Sequence, residues 1–273
     1  MSESKASRDM ILDSPVSRKT ISDSSMATAK FSAGEAGIAP SDYANFDFVA
    51  ASELAMKYIV SSEGAMNVVG LSESARDAII ASDVAYKAVT DSDMAVAKFA
   101  VGAAGLDPAD YANMSVVAAS SVAMEAIIAN TNALNTVVAS SVAMNAVAAS
   151  SVAMSAVANS SVALTAMYNS YTICEPAFQA NVSVCMTAFN ASKLKTSGTA
   201  NGGWKTIYNG KALILSHSSS YGSNGSYTGS GHYLSSPNQS TGQTYNNVMR
   251  FADYVQGYFV DGNYTTTVTY IKI

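Results

Sequence analysis

Apolar and polar positions repeat along this chain every ten residues. Between residues 120 and 170 five near-copies follow one another without a gap: SSVAMEAIIA, NTNALNTVVA, SSVAMNAVAA, SSVAMSAVAN and SSVALTAMYN. A fixed short period of this kind marks a repeat architecture. Followed in both directions, the unit starts at 4, 14, 24, 41, 52, 62, 72, 82, 92, 109, 120, 130, 140, 150, 160, 171 and 182, which makes seventeen units. Thirteen begin with Ser and one, at 130, with Asn. The fourth position is small throughout, from Ser7 and Ala27 to Ala163, Cys174 and Cys185, and the eighth is large and apolar, from Ile11 to Phe189.

Ser is a preferred helix N-cap, and acids at the next position (Glu53, Glu73, Asp83, Asp93) suit the positive end of a helix. The fourth and eighth positions share one helical face, with Met at the fifth beside them. Each unit therefore predicts a helix of about two turns, ~12 Å long, which has to stack on its neighbours to be stable. A single continuous helix fits less well, because ten residues leave the apolar seam ~80° out of phase per unit. A β-solenoid also fits poorly, since Ala is depleted in strands. Long helices in a bundle and a β-solenoid stay open as alternatives.

A second periodicity lies over the first. Residues 4–52 match 72–120 at an offset of 68, with Arg8/Arg76, Lys30/Lys98, Phe31/Phe99, Gly37/Gly105, Pro40/Pro108 and Asn45/Asn113 among the shared residues. The spacers GEAGIAP (34–40) and GAAGLDP (102–108) interrupt both copies at the same place, and their Gly and Pro stop one helix and set the start of the next. They read as plain loops, with corners of a superhelix or partner-docking sites as the sharper alternatives.

After residue 192 the period changes to two. Residues 193–203 read as a linker. Residues 204–216 read as strand, Asn209-Gly210 turn and strand, and 254–273 as a second hairpin around Asp261-Gly262. The expected fold class is α+β: an N-terminal solenoid-like array of short helices over 1–192, the linker 193–203, and a small C-terminal antiparallel β domain over 204–273.

Composition narrows the function. Only 13% of residues are charged and the net charge is -5, so no basic face points to nucleic acid or anionic lipid. No run approaches ~20 uninterrupted apolar residues, and the N-terminus lacks a signal-type apolar core, so neither membrane insertion nor export through a signal peptide is expected. Two cysteines, Cys174 and Cys185, are too few for a disulfide framework. Their fourth-position placement reads as buried small residues, with a disulfide between the last two units as the alternative. The column Met56, Met66, Met124, Met144, Met154 and Met186 reads as core filling, not as a metal site.

No nucleophile elbow, Walker or dinucleotide fingerprint is present. His217 or His232 with a serine and Asp253 makes a hydrolase triad only on paper, so no enzyme activity, catalytic residue, metal or cofactor is expected. The best binding candidate is the Tyr/Ser/Gly/Asn-rich segment 217–247, whose composition suits aromatic anchors with adaptable hydrogen bonds. The expected glycan or receptor contacts are Trp204, Tyr208, His217, Tyr221, Asn224, Tyr227, His232 and Tyr233. Between 120 and 192 only Glu125 and Glu175 carry charge, and so bland a surface suits self-assembly into a homo-oligomer or packing on a larger body.

The block SSVAMNAVAASSVAMSAVANSS (140–161) resembles the Ser-Ala-Met decads of bacteriophage tail fibre and other virion structural proteins, a likeness that covers residues 4–192. The β domain is similar to the tips of phage fibres, which often trimerise and bind the host surface. The resemblance implies a virion component made in the host cytoplasm. In it the repeat body serves assembly or attachment to other virion proteins, and the β tip receives host surface polysaccharide. It departs from fibres in that the repeat starts at Ser4, where a fibre has a separate attachment domain. A structural baseplate, collar or head-decoration subunit and a bacterial surface adhesin are the alternative readings.

Overall fold

The computed structural model describes residues 4–201, 203–219, 226–228, 244–259 and 265–273. The chain is α+β: seventeen α-helices among the described residues, followed by a small antiparallel β part. In the first copy of the duplication the helices are α1 (Lys5–Leu12), α2 (Pro15–Ser22), α3 (Ser25–Glu35) and α4 (Phe46–Ala50), and α5 (Glu53–Ile59) and α6 (Glu63–Leu71) follow. The second copy holds α7 (Glu73–Ala81), α8 (Asp83–Thr90), α9 (Asp93–Ala103) and α10 (Met114–Ala118). Then come α11 (Ser121–Ala129), α12 (Thr131–Val138), α13 (Ser141–Ala149), α14 (Ser151–Ala158), α15 (Ser161–Asn169), α16 (Tyr171–Ala180) and α17 (Val182–Ala191). No single described helix is long and apolar enough to cross a membrane.

Each decad is two turns of helix and one corner. In most units the first residue adopts an extended conformation, as at Ser140 (φ −105°, ψ 118°), and a helix follows; in the units at 171 and 182 the first residue is already helical. One extended residue is enough to break the helix and turn the chain into the next one. In thirteen helices the first-position side chain accepts the backbone N–H three residues on, at 3.0 to 3.4 Å; twelve of these residues are Ser and one is Asn130. That bond satisfies one of the orphan donors at the helix start. The units at 41 and 109 depart from the expected register. Their starts form short 3-10 turns (Pro40–Asp42 and Pro108–Asp110), and the helices that follow are capped by Asn45 and Asn113.

The chain forms two compact units, Met1–Ala153 and Met154–Ile273. In the first, a helix rests on the helix three places earlier: α6 on α3, α7 on α4, α8 on α5, α9 on α6, α12 on α9 and α13 on α10. The chain returns to the same corner after 32 residues. Ser82 donates its hydroxyl to the Ala50 carbonyl (2.7 Å), Ser92 to Val60 (3.4 Å) and Ser150 to Ala118 (2.5 Å). Asn130 donates to Ala103 (2.8 Å) and Ser140 to Thr90 (2.5 Å) in the same way across steps of other lengths. One side chain thus caps its own helix and ties it to the turn below. At these five positions Asp, an equal cap but an acceptor only, could not make both bonds.

The stack is tight because the facing residues are small. The fourth-position alanines Ala55, Ala65, Ala75, Ala85, Ala95, Ala123, Ala133, Ala143 and Ala153 are fully buried. The fifth-position Met56, Met66, Met124, Met144 and Met154 are also buried, as core filling, while Met186 is half-buried. The closest approach is backbone to backbone: a Cβ on Gly102 would lie 2.0 Å from the Gly70 carbonyl oxygen.

The spacers are built corners. Gly37 and Gly105 take positive φ (74° and 82°), and the next amides, Ile38 and Leu106, bond back to Ala33 and Val101 (2.9 Å each), closing the helix in a Schellman motif. The duplication is kept at atomic detail. The Ser25 side chain accepts the Phe46 amide and its counterpart Asp93 accepts the Met114 amide, both at 3.1 Å.

The second unit joins the last helices to two antiparallel sheets. Its strands are β1 (Lys195–Asn201), β2 (Gly203–Tyr208), β3 (Ala212–Ser219), β4 (Ser226–Thr228), β5 (Thr244–Tyr245), β6 (Arg250–Ala252), β7 (Val255–Phe259) and β8 (Thr265–Lys272). One sheet runs β1-β8-β3-β5 with β6 also on β3, and the other runs β2-β7-β4. This corrects two sequence readings. The segment 193–203 is not a linker, since β1 lies in it and pairs with β8 from Lys195↔Ile271 to Asn201↔Thr265. Nor do β2 and β3, or β7 and β8, form hairpins: each pair is split between the two sheets, so the chain crosses between layers at Asn209-Gly210. The expected turn at Asp261-Gly262 lies outside the described residues. Ala212, Ile214, Val248, Ala252, Val255, Val268 and Tyr270 form the core between the layers.

Candidate functional site

Of the eight residues expected to bind a ligand, the structure describes four: Trp204, Tyr208, His217 and Tyr227. Tyr221, Asn224, His232 and Tyr233 lie outside the described residues. Trp204 stands on β2 opposite Tyr258, and Tyr227 on β4 opposite Gln256, so their partners are two residues apart on β7. Tyr208, at the end of β2, is half-buried, and its ring stacks on Tyr270 (centroids 5.5 Å, 26°). The Lys272 ammonium lies 5.2 Å from the Tyr208 ring centroid, a cation–π distance. One face of that ring is therefore already spent inside the protein.

His217 does not belong with a surface patch. It stands on β3 opposite Tyr245 and Val268 and is 3% exposed. Burial disfavours its charged form and pushes its pKa down to about 4, so at neutral pH it is a neutral core residue. The sequence reading makes it the first residue of the segment 217–247, but β3 runs on to Ser219 and carries it into the core. The paper triad also loses its acid. Asp253 accepts the hydroxyl of Tyr168, whose pKa is pushed up to about 12 by burial first and by this bond second.

The polar cluster that the structure does assemble lies where the last helices meet β6. Glu175 is 3% exposed; its carboxylate accepts the Phe251 amide (2.7 Å) and the Arg250 guanidinium (2.7 Å). Gln179, one turn on, donates to the Val248 carbonyl (2.7 Å). Phe178 packs edge-on against Phe189 (5.3 Å, 82°) and beside Phe251 (6.2 Å), and Tyr168 meets Phe251 edge-on (6.0 Å, 86°). Lys211 stands 4.1 Å above the Tyr168 ring. A signal for this joint was present in the sequence. Glu175 occupies the fifth position of its decad, the column that Met56, Met66 and Met144 fill as buried residues, and an acid in a buried column needs a partner. Its chemistry is that of a joint: the acid satisfies a strand amide and a guanidinium.

Cys174 and Cys185 are not joined in a disulfide and are fully buried at the fourth position of their decads in α16 and α17. Burial pushes both thiols up, that of Cys185 to about 12. Among the described residues no group of three or more His, Cys, Asp or Glu side chains is placed to hold a metal ion. Ser192 closes the array as a last corner: its hydroxyl donates to the Ala158 carbonyl and accepts the Leu194 amide (3.1 Å), just before β1 begins. Compared with known protein families and with curated proteins, the chain matches no family model and no curated protein.

Proposed function

We propose that this chain is a non-enzymatic structural protein of a bacteriophage particle, in which the decad array is the assembly body and the β part is the face presented to a host polysaccharide. The observation that carries the reading is the use made of polar groups in the array. Ser82, Ser92, Ser140 and Ser150 each spend the acceptor on capping their own helix and the donor on a carbonyl of another turn, a use that suits a load-carrying body. The resemblance of residues 4–192 to virion decads supplies the particle, and Trp204 and Tyr227, on the two strands that flank β7, supply aromatic residues of the kind that stack on sugar rings. A homo-oligomer, a trimer among the options, would multiply such weak contacts.

The test is a density map of the virion with the chain placed in it, together with a glycan array probed with the full chain. A β part at the particle surface and binding to host polysaccharide support the reading; absence of the chain from the virion refutes it. A second reading is favoured by the Glu175 joint. A β part sharing a buried polar cluster with α16 suits a baseplate, collar or decoration subunit, where the sheets serve as an assembly contact. A β part enclosed by neighbours in the map would select that one.

A further inference from the structure

The unit at 130 departs from its neighbours where a cavity opens. In the block 120–170 the other units carry Val at the third position and Ala at the seventh, whereas this one carries Asn132 and Thr136. Thr136 is 1% exposed, and its buried hydroxyl has to be satisfied locally, by the Asn132 carbonyl (2.8 Å). Departures from a local rule that bring no structural gain concentrate at functional sites. These two residues, with Asn135, Ile80 of α7 and Tyr86 of α8, line a cavity of about 280 Å³.

Tyr86 also breaks its column. It holds the fifth position, which Met56, Met66 and Met144 fill as buried core, yet it is only half-buried. Its hydroxyl donates to the Asn135 carbonyl (3.3 Å), which fixes the phenol end of the ring. Ile80 is 41% exposed. The side-chain amides of Asn132 and Asn135 are exposed and, among the described residues, bond to no protein group.

The first copy of the duplication closes the same place. The offset of 68 carries the unit at 130 back onto the unit at 62, and α12 rests on α9 as α6 rests on α3. A Cβ on Gly64, the counterpart of Asn132, would lie 2.6 Å from the Leu12 side chain and 2.8 Å from that of Glu35. Glu35 is Ala103 in the second copy, so one of these filling side chains is gone. The larger grooves of about 520 and 450 Å³ in this unit differ in kind: both are lined by Lys, Asp and Glu, with Lys19 paired to Asp23 in one and Lys87 to Asp91 in the other.

We propose that the cavity between α7, α8 and α12 binds one ring of a neutral saccharide, with Tyr86 and Ile80 against its C–H face and Asn132 and Asn135 bonding its hydroxyls. No charged residue lines the cavity, so neither an anion nor a cation is favoured. A wholly apolar ligand would leave two carboxamides without water or partner. A carboxamide both donates and accepts, as a sugar hydroxyl does. The size suits a single ring, being just below the roughly 300–1,000 Å³ of pockets for drug-sized ligands. A peptide is bound along a groove or a free strand edge, and all five lining residues stand on helices. The inference does not rest on the reading of the β part, which contributes none of these residues.

The test is saturation-transfer NMR on the full chain with the methyl glycosides of glucose, galactose, mannose and N-acetylglucosamine, each titrated separately, and with acetyl-tetraalanine amide as the peptide probe. Saturable binding of at least one glycoside is expected, with none of the peptide. Tyr86→Ala should weaken it by about tenfold, while Tyr86→Phe keeps the ring and stays close to the native chain. Asn132→Val restores the usual decad at an exposed position, so it should weaken binding several-fold with the melting temperature held or raised. No saturable glycoside binding overturns the proposal, and binding of the peptide alone overturns the ligand class. Glycoside binding that survives Tyr86→Ala and Asn132→Val but is lost in Trp204→Ala overturns this site in favour of the β part.

Discussion

Ser82 donates its hydroxyl to the carbonyl of Ala50, 32 residues earlier and one turn below in the stack, at 2.7 Å. The same oxygen accepts the Ala85 amide at 3.3 Å, so the hydroxyl is used twice. Asp caps a helix as well as Ser but has no proton to give. Ser82→Asp should therefore set a carboxylate against a carbonyl and destabilise the array by about 2 kcal/mol, at least as much as Ser82→Ala. At Ser14, which caps its helix and ties to no turn below among the described residues, Asp should change stability by less than about 0.5 kcal/mol. Urea denaturation followed by the helical circular dichroism signal separates the two; equal effects at both positions would remove the double role.

Two glycines three residues apart should fail for different reasons. Gly102→Ala places a Cβ 2.0 Å from the Gly70 oxygen, between two backbones that cannot yield separately. A loss of about 3 kcal/mol is expected, with no rescue by any other side chain. At Gly105 a Cβ would meet nothing within 4 Å, but the φ there is +82°. Gly105→Ala should cost only about 1 kcal/mol, and Gly105→Asn less, because Asn tolerates the left-handed region. The order Gly102→Ala, Gly105→Ala, Gly105→Asn in melting temperature is the readout.

What the sequence disclosed and what it hid divides along sequence distance. The decad is a local object: cap, face and corner all lie within ten residues, so Ser120 or Ala123 can be assigned from its neighbours. The corners at Gly37 and Gly105 are visible for the same reason, although their Gly and Pro do not show that Asn45 and Asn113 cap the next helices. The return to the same corner after 32 residues is a long-range property set by packing, and no residue marks it. Asn209-Gly210 is a sound turn signal, but which strand β3 pairs with depends on the two-layer packing: Leu213 finds Ile271 and Phe251, not a residue of β2. His217 opens a Ser- and Tyr-rich run that reads as loop, and only the pairing of β3 with β8 shows that the strand continues through it. Of the candidate site, then, the strand position of Trp204 was legible, while β4 under Tyr227 and the inward direction of His217 were not.

His217 gives the second unit a pH dependence whose sign follows from its burial. Its folded pKa is pushed down to about 4, below the ordinary 6.5, so between these values the unfolded chain binds the proton that the folded one refuses. Stability is fully present above pH 6.5 and is lost as the pH falls toward 4, by about 3 kcal/mol at the lower end. Carboxylates titrate near the same acid limit, so the measurement is a difference: the denaturation midpoint at pH 7 minus that at about pH 4.5, in the native chain and in His217→Gln. A smaller drop in the variant is expected, and equal drops would mean that His217 does not titrate in this window.

The thiols of Cys174 and Cys185 are buried, and burial holds both in the protonated form. The thiolate is the reactive species, so alkylation by iodoacetamide at about pH 8 should be slower than that of a free thiol by a hundredfold or more. Both should react together once urea unfolds the unit. Fast labelling of either cysteine in the native chain would show that α16 or α17 opens independently.

Glu175 has two partners, and substitution can take them away one at a time. The column it occupies calls for Met, yet Glu175→Met would leave the buried Phe251 amide without an acceptor and Arg250 without its carboxylate. A loss of about 3 kcal/mol is expected, since an unsatisfied buried donor costs the full desolvation of that group. Glu175→Gln keeps a carbonyl oxygen for the Phe251 amide and gives up only the charge shared with Arg250, so about 1 kcal/mol should go. Arg250 is partly exposed and can return to water, so Arg250→Ala alone should cost less than Glu175→Met. Thermal melts of the three variants check the order Met, then Gln, with Arg250→Ala near Gln. If Met were tolerated as well as Gln, the bond to Phe251 would carry no weight, and the β part would be held to α16 by Phe178 and its aromatic neighbours instead.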